Sequence, residues 1–220
     1  MKKTNTIIHN FLTDDEVRLV SQIIIQEIEK RKTILAEDNG HFLQYDQKDF
    51  SIITNEMGRI TLREIQLPQS IIDKFNNLAL EIALNHGYSN PSLEAMPVFT
   101  EYSLKYGEPK LPPHLDLGKS NFLLDYQLYS NFEWGLTIDN QYYAKTDNDV
   151  ANIFNKNQIH YRPYRLFNEQ EKIGVLFFNY YIEGMEETTF TKNDLHEANK
   201  NFNHDLRRIR EAAGLEVDFE

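Results

Sequence analysis

The chain has 220 residues, 40% of them hydrophobic and 12% aromatic, which suffices for one sizeable core and argues against a disordered chain. Its 23 basic against 34 acidic residues give a net charge of −11, which argues against a nucleic-acid partner, because phosphate selects a basic face. No cysteine is present, so disulfides, thiolate metal sites and a cysteine nucleophile are excluded.

The basic start MKKTNTIIHNFL carries too short an apolar stretch for a signal peptide. No run approaches the ~18 apolar residues of a membrane span. The expectation is a cytoplasmic, soluble protein without membrane association. In FLTDDEVRLV, Thr13 is placed to cap a helix, Glu16 to complete a capping box and Leu12 to staple onto Val17. Val17, Val20, Ile24 and Ile28 then share one face, which predicts a helix over about 14–32. AEDNG (36–40) breaks the pattern, and HFLQY (41–45) and GRITLREI (58–65) read as strands.

A second helix is predicted from Pro68, with Ile71, Ile72, Phe75, Leu78, Ala79, Ile82 and Ala83 as its apolar stripe and Gly87 as its stop. YSNPS (88–92) is a turn. Over about 98–181, short Val/Ile/Tyr/Phe runs alternate with Asn, Asp, Gly and Pro clusters, as in a body of many strands, and VLFFNYYI (175–182) is the strongest of them. A third helix follows over 191–213, capped by Thr191 and burying Leu195, Ala198, Phe202, Leu206 and Ile209. The organisation is one α+β domain over 1–220, with helical support over 1–90, a β core over 98–182 and the C-terminal helix.

PPHLDLGKS (112–120) holds His114 and Asp116 at the spacing that faces one way along a strand, where an imidazole nitrogen and a carboxylate oxygen can share a metal ion. Alone, the pair is better read as a turn in which Asp116 caps backbone near Gly118. His160 stands forty-six residues downstream in NQIHYRP, and Lys172 twelve residues further on, at the head of KIGVLFFNYY. His196 and His204 fall in the last helix, on what reads as a solvated face.

In this order, these features resemble the 2-oxoglutarate- and Fe(II)-dependent oxygenases, within them the prolyl-4-hydroxylase-like branch. NFLTDDEVRLV is similar to that branch's opening helix, YSLKYGEPKLPPHLD to its tyrosine–glycine–HxD segment, and FLLDYQLYSNFEWGLTI to the strands that follow. The resemblance implies a double-stranded β-helix, jelly-roll-like and cupin-like, flanked by helices. It implies that His114, Asp116 and His160 bind Fe(II), a two-histidine, one-carboxylate set that leaves positions open. It also implies that Lys172 pairs with the distal carboxylate of 2-oxoglutarate and that Tyr106, on the strand before the metal turn, faces the cosubstrate, with Tyr102 on the same strand face.

Lys172 lies further beyond the distal histidine than in many relatives, so Arg162 and Arg165 stand as rivals for the carboxylate. Leu176 and Phe178, sharing the face of Lys172, are expected to keep the pocket dry. The implied reaction consumes 2-oxoglutarate and O2, releases succinate and hydroxylates a protein or peptide side chain or a small molecule, with room for ascorbate as an accessory reductant. The alternatives are a non-catalytic jelly-roll binding or assembly protein and a metal-dependent cupin-type enzyme that does not use 2-oxoglutarate.

Overall fold

The computed structural model describes residues 5–35, 50–116, 119–154, 158–185 and 192–217. AEDNG, HFLQY and the Thr191 cap lie outside the described residues. In chain order, strand β1 (Ile7–Ile8) is followed by helix α1 (Asp14–Lys30), then β2 (Lys32–Leu35), β3 (Phe50–Thr54) and β4 (Arg59–Leu62). Helix α2 (Gln69–Asn85) leads to β5 (Ser92–Leu93), β6 (Val98–Ser103), β7 (Leu111–His114) and β8 (Phe122–Ser130). The remaining elements are β9 (Leu136–Ile138), β10 (Gln141–Tyr143), β11 (Asp149–Ile153), β12 (His160–Arg162), β13 (Lys172–Tyr181) and helix α3 (Lys192–Ala212).

The helices begin and end where local chemistry dictates. Thr13 and Glu16 form the expected capping box at α1, and the first turn is acidic, matching the helix dipole. At the end of α2, Gly87 takes φ +78°. There its N–H bonds the Leu84 carbonyl (3.0 Å) and the Tyr88 N–H bonds that of Ala83 (2.9 Å), a Schellman closure.

The strands form two sheets. The larger has the order β1-β11-β8-β13-β6-β4-β3-β2, with β5 on the far end of β13; only β2 and β3 run parallel. The smaller has the order β10-β9-β12-β7. One face of the large sheet is apolar and carries α1 and α2: Phe99, Leu124, Tyr126, Leu176 and Phe178 pack there with Val20, Ile24 and Phe75. Phe75 stacks on Phe178 with ring centroids 3.7 Å apart and meets Tyr126 edge-on.

The opposite face looks onto the small sheet. Leu123, Ala151 and Ile153 from the large sheet pack against Leu136 and Ile138 from the small one. Tyr102, Ile173 and Val175 pack with Trp134 and Phe167. Two sheets enclosing one interior, with helices outside, make the double-stranded β-helix expected for the chain.

Two glycine turns lock β4 to the approach of β7. Gly58 (φ +54°) would place a Cβ 2.3–2.6 Å from the backbone of Gly107, Glu108 and Pro109, so only glycine fits. The Lys110 N–H bonds the Met57 carbonyl across the same contact (3.2 Å).

Helix α3 packs on the body of the chain. Phe202 and Leu206 are buried with Tyr164, and Asn199 Nδ2 donates to the Pro113 carbonyl on β7 (3.2 Å). Arg210 pairs with Glu108 at the other end of the helix. Leu195, Ala198 and Ile209 are half-buried on that same side, as their spacing predicts. Among the described residues, no helix is long and apolar enough to cross a membrane.

Candidate metal centre

Strands β7 and β12 of the small sheet pair in a register that sets His160 directly opposite His114. The two rings lie with centroids 4.3 Å apart. Strand β7 ends at His114, so Asp116 reaches the pair from the segment beyond the strand rather than along a continued strand face. Its carboxylate spans both rings: Oδ1 is 3.6 Å from His114 Nε2 and Oδ2 is 3.6 Å from His160 Nε2.

These contacts are too long for hydrogen bonds. Two ligands each about 2.0–2.2 Å from one metal ion lie roughly 3.0–3.6 Å apart at angles of 90–120°. One donor atom from each of the three residues falls within 4.8 Å of the others.

Both rings are oriented from behind. His114 Nδ1 is 2.8 Å from the Pro112 carbonyl, and His160 Nδ1 is 3.1 Å from that of Gln158. A carbonyl only accepts, so each Nδ1 carries a hydrogen, and in the neutral ring that leaves the Nε2 lone pair facing Asp116. Burial, reinforced by the neighbouring His160, pushes the His114 pKa down to about 4, against the opposing pull of Asp116. Neutral imidazole is the form a metal requires. His160 is buried, whereas the His114 and Asp116 side chains are 34% and 27% exposed, so the centre opens on one side. The donor set thus fits a metal ion with positions free for exchangeable ligands.

The interior beside the triad is charged. Arg162, two residues after His160, is 1% exposed. Its Nη1 donates to the Trp134 carbonyl, its guanidinium lies 5.3 Å from the Trp134 ring, and its Nη2 is 3.6 Å from Asp125. Asp125 is also paired with Lys145, and all three side chains are buried. Burial opposes the ionisation of Asp125, yet Lys145 and Arg162 together hold its carboxyl below the usual range. Burial pushes Lys145 down to about 8 despite Asp125.

Tyr102 faces the same interior, edge-on to Trp134 at 5.2 Å, and its hydroxyl accepts a hydrogen bond from Arg59 (3.2 Å). Arg59 on β4 shares this interior face with Tyr102, and the sequence reading did not single it out. Its period-2 neighbours Thr61 and Arg63 make GRITLREI an ordinary amphipathic strand, and nothing in it tells that the polar face looks inward.

Two expected positions change. Tyr106 does not continue β6; it sits in a 3-10 turn, Leu104–Tyr106, which breaks the alternation from Tyr102. Its ring joins the helix-covered core, and its hydroxyl donates to Glu101 (3.0 Å), so it turns away from the interior that Tyr102 lines.

Lys172 also faces outward. Leu176 and Phe178 share its side of β13, as alternation requires, but that side packs on the helices. The Lys172 ammonium lies over the Tyr129 ring (5.3 Å), itself seated against Gly174 on the outer face. The residues of β13 that face the interior are Ile173 and Val175. Arg165 is bound to Glu171 (2.6 Å), with its guanidinium over Phe132. His196 and His204 are exposed on α3.

No family model matches the chain, and no curated protein matches it by sequence. Solved structures do. A prolyl hydroxylase from Trichoplax adhaerens, in complex with a hypoxia inducible factor oxygen degradation domain peptide fragment, aligns over 81% of this chain and 84% of its own with a TM-score of 0.52 at 10% identity. AviO1 from Streptomyces viridochromogenes Tue57 aligns over 84% of this chain and 92% of its own with a TM-score of 0.53 at 12% identity. A Pseudomonas putida prolyl-4-hydroxylase aligns over 80% and 92%, with a TM-score of 0.48 at 14% identity. The likeness is one of fold: this chain has the prolyl-hydroxylase-like double-stranded β-helix.

Proposed function

We propose that the chain is a 2-oxoglutarate- and Fe(II)-dependent oxygenase that hydroxylates a side chain of a protein or peptide. The observation that carries this reading is the cross-strand pair His114–His160 closed by Asp116, with both Nε2 lone pairs aimed at the carboxylate. The fold shared with prolyl hydroxylases supports it, and the peptide bound to one of them supports a peptide substrate.

His114, Asp116 and His160 would hold Fe(II), which supplies activation of O2 and oxidative decarboxylation of the 2-oxo acid. The chain contributes position and environment. The Pro112 and Gln158 carbonyls keep each Nδ1 protonated, so the ligand tautomers are fixed before a metal arrives. Tyr102, Trp134, Ile173 and Val175 form an apolar wall that limits water, the part first assigned to Leu176 and Phe178. The 34% exposure of His114 leaves a side from which a substrate side chain approaches.

The test is succinate release from 2-oxoglutarate, with Fe(II) and ascorbate, over a panel of peptides and metabolites. The reading expects turnover that a peptide stimulates and that Asp116→Ala abolishes while the fold is retained. Turnover unaffected by Asp116→Ala would overturn it.

A further inference from the structure

With Lys172 on the outer face, the far carboxylate of a 2-oxo dicarboxylic acid loses the partner expected for it. The inner face offers another. Arg59 pairs in register with Tyr102 across β4 and β6, and its Nη1 donates to the Tyr102 hydroxyl. Its Nε is buried and has no hydrogen-bond partner. In a guanidinium, the Nε and Nη2 hydrogens on one edge point the same way and grip a carboxylate with two parallel bonds. Once Nη1 is committed to Tyr102, that edge is the one left.

Arg162 carries the other orphaned buried nitrogen, Nη2, but that nitrogen already faces the Asp125 carboxylate at 3.6 Å and its Nη1 is taken by the Trp134 carbonyl. Among the described residues, no carboxylate forms an ion pair with Arg59. Its position suits a ligand that also reaches the triad. Gly58, the residue before it, abuts Gly107–Pro109, and that segment runs straight into β7 and His114. Tyr102 continues the wall through Trp134 to Arg162, two residues from His160.

We propose that Arg59, steadied by Tyr102, binds the metal-remote carboxylate of the 2-oxo dicarboxylate cosubstrate, the role first given to Lys172; this rests on the 2-oxoglutarate reading above. The binding is bidentate, through Nε and Nη2, and draws on a strand that precedes the metal ligands in the chain.

The test is anaerobic calorimetry with Mn(II) in place of Fe(II), so that binding is read without turnover. The ligands are 2-oxoglutarate and pyruvate, which keeps the 2-oxo acid but lacks the distal carboxylate. Arg59→Gln is expected to weaken 2-oxoglutarate about 10–100-fold, as loss of a charge-assisted bidentate pair does, leaving Mn(II) and pyruvate affinities within about twofold. Arg59→Lys keeps the charge but not the fork and is expected to fall between. Lys172→Ala is expected to bind as the wild type does.

Unchanged 2-oxoglutarate affinity in Arg59→Gln and Arg59→Lys, or a loss in Lys172→Ala instead, overturns the assignment while the oxygenase reading stands. Equal weakening of pyruvate and 2-oxoglutarate also overturns it, since the effect is then structural. A wild-type protein that binds Mn(II) but not 2-oxoglutarate overturns both.

Discussion

The two faces of the large sheet come from the same strands and solve opposite problems. On β8, Leu124 and Tyr126 go outward into a layer sealed by α1 and α2, while Asp125 and Gln127 go inward among Arg162 and Lys145. The outer layer is held by shape, in the stacking of Phe75 on Phe178. The inner layer is held by charge pairing, with the buried Asp125 carboxylate shared between two buried cations, Lys145 and Arg162. On that same inner face, Arg59 has no carboxylate partner among the described residues, and its buried Nε has no hydrogen-bond partner.

Substitutions that keep shape but remove charge, or the reverse, separate the two faces most strongly. Asp125→Asn leaves Lys145 and Arg162 buried without their counter-charge and is expected to cost about 3–5 kcal/mol. Phe178→Ala should cost a similar ~3–5 kcal/mol through the cavity it opens. Phe178→Leu keeps much of the volume and should cost clearly less, although Asp125→Asn keeps nearly all of it. Urea denaturation of the three variants reads this directly. If Asp125→Asn proves milder than Phe178→Leu, the inner layer is not held by charge.

A smaller effect is expected from His114. In the unfolded chain it takes up a proton near pH 6.5; in the folded chain, without metal, it does so only near 4. Between these values the unfolded state holds more protons. The stability present above pH 6.5 is therefore lost progressively as pH falls towards 4. His114→Gln should flatten that part of the metal-free protein's denaturation profile, and an unchanged slope would show that burial does not depress this imidazole.

The least effect belongs to Lys172→Ala, which removes one exposed cation from the Tyr129 ring. It should change the unfolding free energy by no more than about 1 kcal/mol. A larger loss would mean that Lys172 has a partner beyond the outer face.

The contrast also explains what the sequence could disclose. The α1 capping box, the α2 stripe and the α3 stripe are local patterns, and each helix lies where its pattern puts it. The His114–Asp116 pair and His160 were legible as a set because they resemble a family's motif order, not because any spacing demanded it. Alternation correctly grouped Lys172 with Leu176 and Phe178. It could not say which side is inside, because β13 is apolar on both faces and gives no contrast to read. Tyr106 was misplaced because the 3-10 turn at Leu104 interrupts the period of two. Arg59 looked like the solvent side of an amphipathic strand, and only the second sheet makes that side an interior.

The central claim is that His114, Asp116 and His160 hold one metal ion. Crystals grown with Fe(II) or Mn(II) under anaerobic conditions, measured at the metal's absorption edge, test it most directly. The expected result is one anomalous peak about 2.0–2.2 Å from both Nε2 atoms and an Asp116 oxygen. Absence of that peak at full metal loading, or a peak bound by other residues, would contradict the claim.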